Sequence, residues 1–91
     1  MFTNALLTLG RLQVDAKDDE QATATYRRAI AHDGYLEEAH RELMRCLVRQ
    51  GEHGLALQQY ESIVRILQEL GAPPSSETQK LVERLRRGEE M

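Results

Sequence analysis

The 91-residue chain contains no tryptophan, one phenylalanine, three tyrosines, two prolines and a single cysteine. With aromatics at 4% and no run that alternates apolar and polar residues over a strand's length, a β-sheet core is excluded as the organising element. A lone thiol, Cys46, cannot close an internal disulfide, and that points to a reducing compartment, so the expected location is cytoplasmic. No apolar run reaches the roughly 18 residues needed to cross a bilayer. The first dozen residues include Asn4, Gly10 and Arg11 and lack the basic start and small-residue cleavage site of a signal peptide. Neither sign of charge dominates: 12 Lys and Arg stand against 15 Asp and Glu, a net −3. The basic stripe of a nucleic-acid-binding domain is missing, so direct nucleic-acid binding and membrane association are not expected.

What remains is helix-forming. Ala, Leu, Glu, Gln and Arg dominate, and the fold class is read as all-α. Ninety-one residues fall below one average domain, so residues 1–91 are expected to form one unit, with little core to spare. Helices are predicted from about Thr3 to Val14, Glu20 to His32, Leu36 to Gln50, Gly54 to Leu70 and Glu77 to Arg87. Asp33-Gly34 breaks the chain, and Gly51 and Gly71 supply C-terminal stops. Pro73-Pro74 prevents continuation of the fourth helix. Ser76 with Gln79 three residues on reads as a capping box opening the fifth helix. Glu37 and Glu38 sit where acidic side chains complement a helix dipole, and Arg84, Arg86 and Arg87 where basic ones do. Residues 89–91 are expected to fray.

Sliding the chain on itself by 34 residues aligns Ala5 with Ala39, Leu9 with Leu43, Arg11 with Arg45, Val14 with Val48, Ala22 with Ala56 and Tyr26 with Tyr60. Average composition would give roughly two identities over such a span. The period and the Ala-x3-Tyr pair in each second helix are those of a tetratricopeptide repeat. The small alanines let the two helices of a hairpin approach closely, and Tyr26 and Tyr60 are expected to be buried at equivalent positions. The architecture predicted is therefore tetratricopeptide-like antiparallel hairpins over residues 1–34 and 35–70, with residues 71–91 forming a Pro-containing turn and a capping helix.

A narrower resemblance rests on Glu37-Glu38-Ala39-His40-Arg41-Glu42-Leu43-Met44, Gly51, Ala56 to Tyr60, Glu69-Leu70-Gly71 and Pro74-Ser75-Ser76-Glu77-Thr78. In these residues the chain resembles the bacterial transcriptional activator domain, as found in SARP-type regulators. The resemblance implies a helical domain that follows a winged-helix DNA-binding domain, hence a piece of a larger regulator. It also implies a protein-protein interaction role, with DNA contact delegated elsewhere. Partners would be other domains of the same regulator or a second copy. A free-standing tetratricopeptide scaffold binding acidic peptide segments is the alternative.

No constellation for catalysis is visible, so no enzymatic activity, cofactor, metal or small-molecule ligand is expected. No two of His32, His40 and His53 are four residues apart on a helix; His40 is read as packing at the hairpin interface, and His32 and His53 as lying at solvated helix ends. Cys46 is read as a buried or half-buried small residue. Asp15, Asp18, Asp19 and Glu20 lack the central glycine and terminal glutamate of a calcium loop and read as a solvated loop with a helix start. Arg41, Arg45 and Arg49, at i, i+4 and i+8, form a stripe on the third helix, and Arg11 is the repeat equivalent of Arg45. In stacked hairpins the first helices line the concave face. Asn4, Arg11, Arg41, Arg45 and Arg49 are therefore the expected partner-binding residues, with Glu38 lining the same groove. Guanidinium forks suit a carboxylate-bearing segment. The pairs Glu37–Arg41 and Glu42–Arg45 are expected on the exposed surface.

Overall fold

The computed structural model describes residues 2–88. Over that span it consists of five α-helices, α1 (Phe2–Asp15), α2 (Asp19–His32), α3 (Glu37–Arg49), α4 (His53–Glu69) and α5 (Ser76–Arg86), and no strand occurs among the described residues. Each helix lies within one residue of its predicted bounds. The expected fraying of residues 89–91 falls outside the described residues. α1 pairs with α2 and α3 with α4; α3 also packs on α2, and α5 rests on both α3 and α4. Connections of three to six residues leave consecutive helices little choice but to run antiparallel.

Two helix ends obey one rule with different residues. α1 closes with the Asp18 amide donating to the Gln13 carbonyl at 2.8 Å and the Lys17 amide to the Val14 carbonyl at 2.9 Å, a Schellman closure. Thirty-four residues on, Glu52 donates to Leu47 at 2.8 Å and Gly51 to Val48 at 2.9 Å. The turning residue has φ +64° at Lys17 and +80° at Gly51, and only the glycine adopts that conformation without a steric cost. Asp18 caps α2 by accepting from the Gln21 amide at 3.2 Å. The cap of α5 is Ser75, not Ser76: its hydroxyl accepts from the Thr78 amide at 3.3 Å. Gln79 does not complete a capping box; its side chain donates to the Pro74 carbonyl. The Ser-Ser dipeptide offered two registers, and residues beyond the helix chose between them.

The core joins Leu6, Leu7, Ala22, Tyr26 and Ala29 to Ala39, Leu43, Met44, Leu47 and Ala56 and to Leu81, Val82 and Leu85 of α5. Ala22 and Ala56 are fully buried, as close approach within each hairpin requires. Tyr26 is 2% exposed and Tyr60 only half-buried, so the expectation of equal burial holds for the first hairpin alone. The cause lies on the facing helix. Tyr26 lies against the backbone of Gly10, where a Cβ would stand 2.5 Å from its ring. The equivalent of Gly10 is Met44, whose fully buried side chain fills that space. Tyr60 instead lies under the Arg86 guanidinium, 5.6 Å from the ring centre, a cation–π contact.

Polar groups inside the hairpins are paired. Thr25 donates to the Gln13 side chain at 2.6 Å, bridging α2 and α1. His40, fully buried, meets the Gly34 carbonyl through Nε2 at 2.9 Å and the Gln59 amide through Nδ1 at 2.6 Å. A carbonyl only accepts, so the imidazole carries its proton on Nε2 and accepts at Nδ1. His40 is thus an interface residue, as expected. Exposed His32 packs edge-to-face with Phe2 at 4.4 Å, and His53 opens α4 in solvent.

Candidate docking groove

α1, α3 and α5, the first helices of successive units, stand side by side. The Arg11 guanidinium reaches Glu38 across α1 and α3 at 4.0 Å, and Arg41 reaches Glu77 across α3 and α5 at 3.2 Å. Between them lies a cavity of about 250 Å³ lined by Arg11, Tyr26, Glu38, Arg41, Glu42, Arg45 and Glu77. Three of the five expected residues therefore converge, and Glu38 joins them. Asn4 and Arg49 do not. Asn4 is exposed two turns before Arg11 on the same side of α1 but does not line the cavity. Arg49 turns away because four-residue steps drift by about 40° each on a 3.6-residue helix. By the third arginine the stripe has rotated toward α2, where Arg49 meets the Asp19 carboxylate at 3.0 Å through both Nε and Nη2.

Each arginine in the stripe already holds a carboxylate. Arg45 pairs with Glu42. Arg41 has its side chain only 13% exposed, so the expected exposed Glu37–Arg41 pair is instead a partly buried one. Its Nη1 donates to Thr78 and Ser75 at 3.2 and 3.4 Å while Glu37 lies 3.9 Å away. Glu37 accepts from the Ser75 amide at 3.1 Å, the Ser75 hydroxyl at 3.0 Å and the Thr78 hydroxyl at 2.6 Å. Burial pushes the Glu37 carboxyl up, but the Thr78 and Ser75 hydrogen bonds, with Arg41, outweigh it and hold it below its ordinary value. This knot fastens the start of α5 to the first turn of α3. Sequence reading missed Glu37, Ser75 and Thr78 as a unit, since they are about 40 residues apart and share no periodic signal. Their only trace was the Pro-Ser-x-Glu-Thr run.

The groove floor is chemically quiet. Burial, with Glu42 second, pushes the Tyr26 hydroxyl up to about 12, so it stays neutral and can only exchange hydrogen bonds. Cys46 is fully buried behind the stripe, and burial pushes its thiol up to about 11 against the pull of Arg49. A thiol held protonated is a poor nucleophile. Among the described residues no helix is long and apolar enough to cross a membrane.

These features meet a family pattern. The family model described as the bacterial transcriptional activator domain matches residues 1–86. The chain belongs to that family. No curated protein and no solved structure gives a significant match. In this bacterial transcriptional activator domain the Ser75–Thr78 run that carried the resemblance caps α5 and binds Glu37, which gives that motif a physical reason. The family is regulatory, not a family of enzymes.

Proposed function

We propose that this bacterial transcriptional activator domain works in the cytoplasm as a docking module of a transcription regulator, holding another protein segment without catalysing a reaction, and leaves DNA contact to other domains. One observation supports this above the others: the groove between α1, α3 and α5 sets Arg11 and Arg45 beside Glu38 and Glu42 at its rim. The Arg11–Glu38 pair is 4.0 Å apart, with side chains 69% and 44% exposed. A pair so solvated contributes tenths of a kcal/mol and is readily exchanged for a partner's carboxylate. Among the described residues Arg45 pairs with Glu42, its neighbour on the same helix. An acidic segment is the ligand these groups suit, with Asn4 offering an amide further along α1. Arg41 and Arg49 contribute from behind, Arg41 by fixing α5 as one wall and Arg49 by tying α3 to α2.

The test is a double substitution, Arg11→Glu with Arg45→Glu, titrated calorimetrically against the remaining domains of the regulator supplied in trans, with circular dichroism to check the fold. Charge reversal of two rim cations is expected to weaken docking at least tenfold with an unchanged helical spectrum. Undiminished docking would overturn the assignment of this groove.

A further inference from the structure

One polar atom of the core plays no part in holding the core together. Tyr26 is 2% exposed, yet among the described residues no group hydrogen-bonds its hydroxyl, and no fully enclosed side-chain oxygen or nitrogen there lacks a partner. The oxygen therefore opens into the cavity that Tyr26 lines. Among the described residues lining that groove, Tyr26 alone comes from the second helix of a hairpin, so its ring reaches the groove by passing between α1 and α3. Gly10 provides the passage. A Cβ there would stand 2.5 Å from Cζ, the carbon that bears the hydroxyl, and 2.7 Å from Cε1. A glycine inside a helix gives up helix propensity, and here it admits the polar end of the ring. Packing alone does not need that end, since phenylalanine fills almost the same space. In the second hairpin Met44 closes the passage and Tyr60 turns to Arg86, so the first hairpin delivers a hydroxyl to the groove and the second does not.

We propose that the Tyr26 hydroxyl is a recognition group at the floor of the docking groove, donating a hydrogen bond to the carboxylate of one Asp or Glu side chain of the docked segment while Arg11 and Arg45 hold that carboxylate from the rim. The balance of donors and acceptors favours an acid over a base. A guanidinium has five N–H donors and a carboxylate about four acceptor sites, so Arg11 and Arg45 set against Glu38 and Glu42 leave donors in excess, and the phenol adds one more. Burial, then Glu42, keeps the phenol neutral up to about 12, so it remains a donor throughout the physiological range. An O–H donor to a carboxylate makes a short, charge-assisted bond. A cavity of about 250 Å³ admits the tip of one side chain and not a folded element, which suits a single acidic residue reaching down to the floor. The inference rests on the docking-module reading and adds a floor contact to the rim charges, so the two can fail separately.

Two experiments decide it. First, Tyr26→Phe is titrated calorimetrically against the remaining domains of the regulator. Docking is expected to weaken about tenfold, the loss of one hydrogen bond to a charged group, with Tm unchanged because no bond within the chain is removed. Undiminished docking, or a Tm lowered by several degrees, would overturn the proposal. If Arg11→Glu with Arg45→Glu weakens docking and Tyr26→Phe does not, the floor contact alone fails; if neither weakens it, the groove assignment fails as well. Second, the three tyrosines are labelled with carbon-13 at Cζ, the Tyr26 signal being assigned by its loss in Tyr26→Phe. Glutamate blocked at both backbone ends, which offers a side-chain carboxylate and no terminal one, is expected to shift the Tyr26 signal and leave that of Tyr60 in place. Lysine blocked in the same way is expected to shift neither. No shift at Tyr26 with the blocked glutamate, or an equal one with the blocked lysine, would overturn the assignment of an acidic side chain.

Discussion

The two hairpins share a register but solve one packing problem in opposite ways. In the first, Gly10 on α1 gives up its side chain and Tyr26 takes the space; in the second, Met44 keeps the space and Tyr60 is displaced toward Arg86. The polar bridges move correspondingly. Gln13 and Thr25 join the first pair of helices, while in the second their counterparts are Leu47 and Gln59, and Gln59 bonds His40, the counterpart of Leu6. A helical hairpin of this repeat thus specifies a total volume and a satisfied polar group at the helix–helix interface, and is indifferent to which helix supplies each.

That view makes unequal predictions for equivalent substitutions. The largest difference is expected between the tyrosines: Tyr26→Ala should cost about 3–5 kcal/mol, as for other large buried truncations, and Tyr60→Ala about 1–2 kcal/mol because part of its surface stays in water. Urea midpoints of the two variants check this, and equal losses would mean the hairpins pack alike. Gly10→Ala is expected next, at about 1–3 kcal/mol of overpacking against Tyr26 despite alanine's better helix propensity. Combining it with Tyr26→Leu should recover part of the loss in thermal melts. Of smaller size, Lys17→Gly should stabilise by about 0.5–1 kcal/mol by relieving the left-handed backbone, raising Tm by a few degrees, whereas Gly51→Lys should lower it by a similar amount.

The smallest effect is a pH slope confined to the second hairpin. Burial pushes the His40 imidazole below its ordinary value of 6.5, against the Gly34 hydrogen bond and the Glu37 charge. The unfolded chain therefore takes up the proton first. Stability is complete above the unfolded value and falls as the pH drops through it toward the lower folded one. His40→Leu, which installs the first hairpin's residue, should remove this slope between neutral pH and about pH 5, above the carboxylate range. Denaturation midpoints at both ends of that window measure it, and an unchanged slope would assign the titration to other groups.

The helices and their order were legible because apolar periodicity, glycine stops and the 34-residue repeat all depend on neighbours within a few residues or one period. The arginine stripe and its pairs within α3, Glu37–Arg41 and Glu42–Arg45, were legible from their spacing, but the pairs that Arg41 and Arg49 make to other helices were not. Arg49 meets Asp19 and Arg41 meets Thr78 only after separate helices pack, and their spacings match no repeat. The unequal fates of Tyr26 and Tyr60 were implicit in Gly10 and Met44, since a residue without a side chain opposite a ring admits the ring and a long one excludes it. The choice of Ser75 over Ser76 was not legible, because Glu37, which binds Ser75, lies two helices away.

Cys46 sits where the first hairpin meets the second, sealed on both sides and held protonated. A bulky thiol reagent can reach it only while α2 and α3 are apart, so its labelling rate amounts to a clock on the parting of the two hairpins. Because both neighbours of that seam carry the groove walls, the same clock reads how often the binding surface is dismantled and rebuilt at equilibrium. A bound segment that spans α1 and α3 would slow it in proportion to its own affinity, giving a readout of docking that needs no label on the partner.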